Sequence, residues 1–384
     1  MKFPRLTAAV PANVLALGVV SLVTDISSEM VTAVLPFYLV LVLGLSPLAF
    51  GLVDGLYFGV TALVRLAAGH AADRWQRRKL VAGIGYGLSA VCKLGLLAAG
   101  SSVGLLGAAV AVDRTGKGLR TAPRDALISL SAAPGALGQA FGVHRAMDTV
   151  GAFLGPLAAF AVLGLTGGYD VVFVVSFAVA VLGVLMLVLY VKDRREPVPA
   201  GKVISFGLLR DAAFRKVCLL AGALGLVTVS DAFVYLLLQK SAGLAPEYFP
   251  LLPLGTAAVY LVLAVPLGKL ADKVGRIPVF LGGHVALVAV YGLLVGSGPV
   301  LAVLALFGVF YAATDGVLMA AAGPLLPASL KTSGLALLQT GQAVARMISS
   351  ILYGAAWTAF GPTPGLIAMG AGILGCLAFW KVLR

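Results

Sequence analysis

The chain has 384 residues, 60% of them hydrophobic and only 11% charged, with a mean hydropathy of +1.05. A soluble protein of this size cannot hide that much apolar surface, so the composition excludes a globular domain and points to a polytopic helical membrane protein. The formal net charge of +13 would suggest nucleic acid in a soluble chain; here the basic residues gather in particular loops with no interleaved aromatics, and nucleic-acid binding is excluded.

Hydropathy and breaker residues predict twelve helices at about 20 residues per crossing. Their approximate limits are 12–42, 47–71, 79–98, 102–126, 138–165, 169–191, 213–239, 248–271, 277–297, 299–325, 332–359 and 363–382. The first run resembles a signal peptide at its start, but it continues through Asp25 and Glu29 to about Leu43 and is too long for an h-region. It is expected to remain as the first helix, with Asp25, Ser28, Glu29 and Thr32 on one face. The second predicted helix carries Asp54 and Arg65, read as structural. The fourth carries Ala111–Asp125, AVDRTGKGLRTAPRD, the most polar stretch inside any span. Asp113, Lys117, Arg120 and Arg124 recur there at i, i+4, i+7 and i+11, one stripe of a helix, with Arg114 and Asp125 beside it. Facing lipid, Asp113, Arg114 and Lys117 would together cost about 8–10 kcal/mol on insertion scales, so they must face a partner or a watery cavity. Arg120 and Arg124 lie toward the cytoplasmic end, where long basic side chains can snorkel.

In the fifth predicted helix His144 and Asp148 share a face with Gly151 and Gly155, and Arg145 is adjacent. The seventh and tenth contribute Asp231 and Asp315. The eleventh carries Gln339, Gln342, Arg346 and Ser350 at helical spacing. Cys92, Cys218 and Cys376 stand isolated in apolar runs, without metal-ligand or disulfide spacing.

Orientation follows from the lysines and arginines. Lys2, Arg5, Arg74, Arg77, Arg78, Lys79, Lys192, Arg194, Arg195, Lys269, Lys273, Arg276, Lys331 and Arg384 fall on one side, which places both termini in the cytoplasm. Residues 69–77, GHAADRWQR, repeat as 268–276, GKLADKVGR, each after the second helix of a six-helix half. The expected organisation is a bundle over 1–191, a cytoplasmic linker over 192–212 with an amphipathic turn near Ile204–Leu209, and a second bundle over 213–384.

With these residues in place the whole sequence resembles the major facilitator superfamily. The family's loop signature, roughly G-x-x-x-D-R/K-x-G-R-R/K, is met by Gly69, Asp73, Arg74, Arg77 and Arg78, with Gln76 replacing its glycine. The second copy keeps Gly268, Asp272, Gly275 and Arg276. The resemblance implies that Gly69, Asp73, Arg74, Arg77, Asp272 and Arg276 latch the cytoplasmic ends in an outward-open state. The fourth helix resembles R-x-x-Q-G-x-G through Arg114 and Gly118, with Lys117 and Arg120 as departures, and the resemblance ties Arg114 to proton coupling. In the fifth, Gly142, Gly151, Gly155 and Pro156 match G-x8-G-x3-G-P, which resembles proton-driven antiporters; Ala159 and Phe160 replace its closing glycines.

The expected fold is therefore all-α, with twelve transmembrane helices in two pseudo-symmetric six-helix bundles, a multi-pass protein of the cell membrane. A proton-coupled carrier needs a carboxylate whose proton affinity is set by burial and a nearby cation. Asp25 is the first candidate and Glu29, Asp113 and Asp148 are rivals; Arg114 and Arg145 are the adjusting cations and His144 a relay. Lys117, Arg120 and Arg346, with Asp231, Asp315, Gln339 and Gln342, are expected to line a substrate cavity suited to an anionic solute. The expected activity is export of a small organic solute by proton antiport, with proton-coupled uptake of an anion as the alternative. An enzyme would need a nucleophile–base pair or a metal cluster near one face, and none is legible. A self-contained ATP pump would need a P-loop, which is lacking. No cofactor, metal or obligate protein partner is expected; the partners are the solute, protons and the bilayer.

Overall fold

Apolar runs of this length fold as helices because the hydrocarbon core offers no water to a free peptide group. The computed structural model describes residues 10–75, 77–132, 136–194, 206–327 and 330–382; the side chains of 65–75, 206, 331–333 and 381–382 fall outside that description. Among the described residues there are thirteen α-helices and no strand. In chain order they are α1 (Ala12–Phe37), α2 (Pro47–Trp75), α3 (Arg78–Ala98), α4 (Val103–Ser131), α5 (Leu137–Thr166), α6 (Tyr169–Tyr190), α7 (Ala212–Leu226), α8 (Asp231–Ala242), α9 (Leu252–Val274), α10 (Arg276–Val295), α11 (Val300–Ala322), α12 (Lys331–Phe360) and α13 (Pro362–Val382). A π-helical turn over Tyr38–Val42 prolongs α1, the Leu43 N–H donating to the Tyr38 carbonyl at 2.9 Å.

Ten helical runs among the described residues are long and apolar enough to cross a membrane. The polar stripes of α4 and α12 lower the hydropathy of the remaining two. Leu165 and Leu301 are 87% and 79% exposed, which suits acyl chains rather than water. The predicted linker is a 3-10 turn over Phe206–Arg210, while its stretch 195–205 lies outside the described residues.

One predicted helix is corrected. The seventh span is not continuous over 213–239 but breaks at 227–230 between α7 and α8. Val227, Thr228 and Val229 are β-branched in succession, and Ser230 then adopts an extended N-cap geometry before Asp231 opens α8. The freed peptide groups find partners. The Val229 N–H donates to the Tyr291 hydroxyl at 2.7 Å, and Ser349 Oγ donates to the Thr228 carbonyl at 2.7 Å.

The chain divides into two compact units, Met1–Val34 with Leu63–Ala200, and Leu35–Ala62 with Gly201–Arg384. In the first, Val14, Leu17, Tyr86, Leu127, Ile128 and Leu187 belong to one buried cluster. Ser27 and Ser176 exchange hydroxyl-to-carbonyl bonds at 2.6 and 2.7 Å and lock α1 to α6. Asn13 ties three segments, donating to Ser131 Oγ at 2.7 Å and accepting the Lys192 N–H at 2.8 Å. In the second unit Phe233 packs on Phe50, Tyr353 and Trp357, with ring centroids 4.9–5.6 Å apart.

Helices α3 and α4 meet backbone to backbone. A Cβ on Gly116 would stand 2.5 Å from the Gly85 carbonyl oxygen and 2.7 Å from Ser89 Oγ. Backbone cannot give way as a side-chain tip can, so Gly116→Val is expected to cost about 1–3 kcal/mol by overpacking. Thermal unfolding in detergent checks it against Gly104→Val on the same helix, where a Cβ meets nothing within 4 Å; that control should keep the wild-type midpoint.

Candidate functional site

The polar stripes of α1 and α4 meet as a three-rung zipper in the first unit. Arg124 Nη1 donates to Ser21 Oγ at 3.0 Å, Arg120 Nη2 reaches Asp25 Oδ1 at 3.5 Å, and Lys117 Nζ stands 4.0 Å from Glu29 Oε1. As the α4 number rises by three or four, the α1 number falls by four, the register of two antiparallel helices each showing one face. The rungs loosen along the zipper: Arg120 and Arg124 are deeply buried, whereas Lys117 and Glu29 are both partly exposed.

Arg120 and Arg124 do not snorkel. They are 3% and 6% exposed, and α4 runs on to Ser131, about 10 Å beyond Arg124 at 1.5 Å per residue. A Tyr86 ring supports Arg120, its centroid 4.7 Å from the guanidinium carbon. Arg124 also binds Asp125 through Nε at 3.1 Å and Nη2 at 3.0 Å.

Helix α5 closes the lower rungs. Asp148 lies 3.9 Å from Arg124 Nη1, 3.6 Å from Arg145 Nη1 and 3.5 Å from His144 Nε2. His144 is fully buried; among the described residues its Nε2 and Asp148 Oδ1 face each other without a hydrogen bond of good geometry, and its Nδ1 has no partner.

The glycines of α5 set how closely α1 approaches. A Cβ on Gly151 would meet the Leu22 carbonyl oxygen at 2.6 Å and Asp25 Cβ at 3.1 Å; one on Gly155 would meet Glu29 Cβ at 2.6 Å and the Ile26 carbonyl oxygen at 2.8 Å. These two glycines therefore seat α1 at the residues that carry its carboxylates. Gly142 has no such part, since it is exposed and a Cβ there meets nothing within 4 Å. Pro156 is buried, and α5 stays continuous through it.

Asp113 and Arg114 stand apart from the zipper. Arg114 binds its own neighbour Asp113 through Nε at 2.9 Å and also through Nη2. Ser89 Oγ donates to the Asp113 carbonyl at 3.2 Å, and Lys93 Nζ donates to the Ser89 carbonyl at 2.8 Å. Lys93 is a buried cation that the sequence reading passed over; it was legible by the test applied to Asp25, a lone charge inside an apolar span.

In the second unit Tyr311 donates its hydroxyl to Asp231, and Arg346 lies between two rings, 6.0 Å from the Phe58 centroid and 5.9 Å from that of Tyr311. Asp54 Oδ2 accepts the Ser350 hydroxyl at 2.6 Å. Asp315 is exposed and accepts from Tyr260 at 3.3 Å. Gln339 is exposed and Gln342 half-buried, and neither bonds another described residue. Of the expected latch, Arg276 donates to the Ala320 carbonyl at 2.9 Å and pairs with Asp272 at 3.4 Å, and Arg77 is exposed. The side chains of Gly69, Asp73 and Arg74 lie outside the described residues.

A sequence profile described as the Major Facilitator Superfamily matches residues 17–257. An uncharacterised MFS-type transporter of Methanocaldococcus jannaschii is 31% identical over 363 residues, which span 90% of this chain and 88% of that one. Among solved structures, a variant of the nucleoside transporter NupG superposes with a TM-score of 0.82 at 13% identity, covering 97% of this chain and 100% of the other. A bacterial homologue of the human lysosomal transporter Spinster, in an inward-facing and occupied conformation, gives 0.77 at 17% identity over 96% and 95%.

Proposed function

Because the chain belongs to the major facilitator superfamily, and is thus a multi-pass membrane transporter rather than an enzyme, we propose that the α1–α4–α5 zipper is the coupling centre of a proton antiporter that exports a small organic solute. The observation that carries this reading is the convergence on Asp25. Arg120 of α4 holds its carboxylate at 3.5 Å, and Gly151 of α5 presses the α1 backbone from beside it. A proton taken by Asp25 removes one charge from the rung and leaves Arg120 with the Tyr86 ring and the more distant Asp113; loss of the proton closes the rung again. Asp148, contacted by Arg124, Arg145 and His144, extends the same lattice and supplies a second carboxylate for the proton. Such a rung differs between its two protonation states, which is what coupling to alternating access requires. The cell membrane as location and cytoplasmic termini belong to the same reading and rest on the lysine and arginine placement.

The test uses everted vesicles loaded with acid, a lumenal pH dye and a panel of organic anions, cations and nucleosides. Antiport predicts that adding a transported solute relieves the dye's quenching as protons leave, and that a protonophore abolishes the response. A solute whose entry acidifies the lumen would establish symport instead. Symport of an anion has one feature in its favour: Lys117 is loosely held at 4.0 Å and partly exposed, a cation still open to a solute.

A further inference from the structure

The break between α7 and α8 lies beside a carboxylate that no cation holds. Asp54, in the eighth position of α2, accepts a hydroxyl from Ser350 of α12 at 2.6 Å and makes no ion pair among the described residues. The Ser230 hydroxyl and the Asp231 carboxylate stand next to it. Asp231 in turn accepts the Tyr311 hydroxyl and shares the field of Arg346 with Asp54. Ser230 is 4% exposed, its Oγ makes no hydrogen bond of good geometry among the described residues although it stands beside Asp54, and from the N-cap position of α8 it does not cap the helix.

Charge does not balance here. The groups facing one another are Asp54 of α2, Asp231 of α8, Tyr311 of α11 and Arg346 of α12, with Tyr235 of α8, Tyr291 of α10 and His284 of α10 behind them. His284 is packed edge-on against Phe280 and Phe310, with Nδ1 2.9 Å from the Phe280 carbonyl. Arg346, between the Phe58 and Tyr311 rings, acts on three carboxylates, Asp54, Asp231 and the exposed Asp315. An unbalanced carboxylate inside a span costs about 2.5–3.5 kcal/mol on insertion scales.

We propose that Asp54, Ser230, Ser350 and Asp231 form a binding site for a sodium ion. The donor set is entirely oxygen, as a hard cation prefers. Ser230 points the same way. A buried hydroxyl that caps no helix and makes no hydrogen bond of good geometry is accounted for when it ligates an ion, as is the Ser350 hydroxyl already set against Asp54. The site belongs to the second unit and is independent of the zipper around Asp25.

Binding of radioactive sodium to the purified protein by scintillation proximity, at pH 8 with choline replacing sodium, tests this. Wild type should bind sodium saturably, displaced by unlabelled sodium and not by choline. Asp54→Asn and Ser350→Ala should each weaken binding at least tenfold, with Ser350→Ala the safer variant for folding, while Gly104→Val, where a Cβ meets nothing within 4 Å, should bind as wild type. No saturable sodium binding by the wild type, or binding that survives both Asp54→Asn and Ser350→Ala, overturns the site. Sodium binding lost in Asp25→Asn but kept in Asp54→Asn would place the ion in the zipper and overturn it too. Proton antiport is read separately by dye dequenching in sodium-free vesicles, so either proposal can fail alone.

Discussion

Asp25→Asn is expected to abolish solute-driven proton release from vesicles and to destabilise the protein by about 3–5 kcal/mol, the cost of stranding a buried charge when its partner is removed. Both effects have one cause. Arg120 is 3% exposed and Asp25 is the carboxylate it pairs with, so an uncharged asparagine leaves the guanidinium without an ion-pair partner, beside the Tyr86 ring and the more distant Asp113. The double variant Asp25→Asn/Arg120→Gln separates the two consequences. It removes both charges and should recover most of the thermal midpoint, because a pair deleted as a whole costs far less than a pair broken. Proton release should stay absent, since no titrating carboxylate remains on that rung. If the double variant regained coupled transport along with stability, the pair would be structural and coupling would belong to Asp148 or Glu29.

Gly155→Leu is the second large expectation. A Cβ at 2.6 Å from Glu29 Cβ and 2.8 Å from the Ile26 carbonyl oxygen lies inside van der Waals contact, so α1 must withdraw by about 1 Å from α5 to accommodate it. That displacement carries Asp25 and Glu29 away from Arg120 and Lys117, and misplacement on this scale can cost about 10²-fold in rate where geometry decides. Turnover should therefore fall steeply while equilibrium binding of the same solute to detergent-purified protein changes little. Gly142→Leu is the internal control. It belongs to the same sequence motif yet faces open space, and its effect should stay within about 0.5 kcal/mol, as for an ordinary exposed site. Equal damage at the two positions would mean that the motif does not act through contact with α1.

The contrast between those glycines shows how far a motif can be trusted. Gly142, Gly151 and Gly155 have the same standing in the pattern G-x8-G-x3-G-P, and only the position of α1 tells them apart. The stripe on α4 behaves alike. Its spacing identified Lys117, Arg120 and Arg124 as sharing a face, and that of α1 did the same for Asp25 and Glu29. The pairing of Arg120 with Asp25 rather than with Asp113 needed the register of two antiparallel helices. Asp113, first member of the predicted stripe, is held by its own neighbour Arg114. Snorkelling was a sound expectation for Arg124 from its distance to a helix end, but it failed because α4 extends to Ser131 and Arg124 finds Ser21, Asp125 and Asp148 inside.

By itself the sequence determined that the chain crosses the membrane as helices, about where each crossing lies, and that several charges lie within the crossings. Those properties follow from single segments, since lipid forces every backbone to satisfy its own hydrogen bonds and makes each stray charge conspicuous. Only the tertiary structure decided which charge meets which, which glycine is pressed, and that the seventh span breaks at Val227–Ser230. Each of these depends on the rotation and separation of helices far apart in the chain. A period of 3.6 residues fixes the face a side chain occupies on its own helix, and carries no information about what stands opposite.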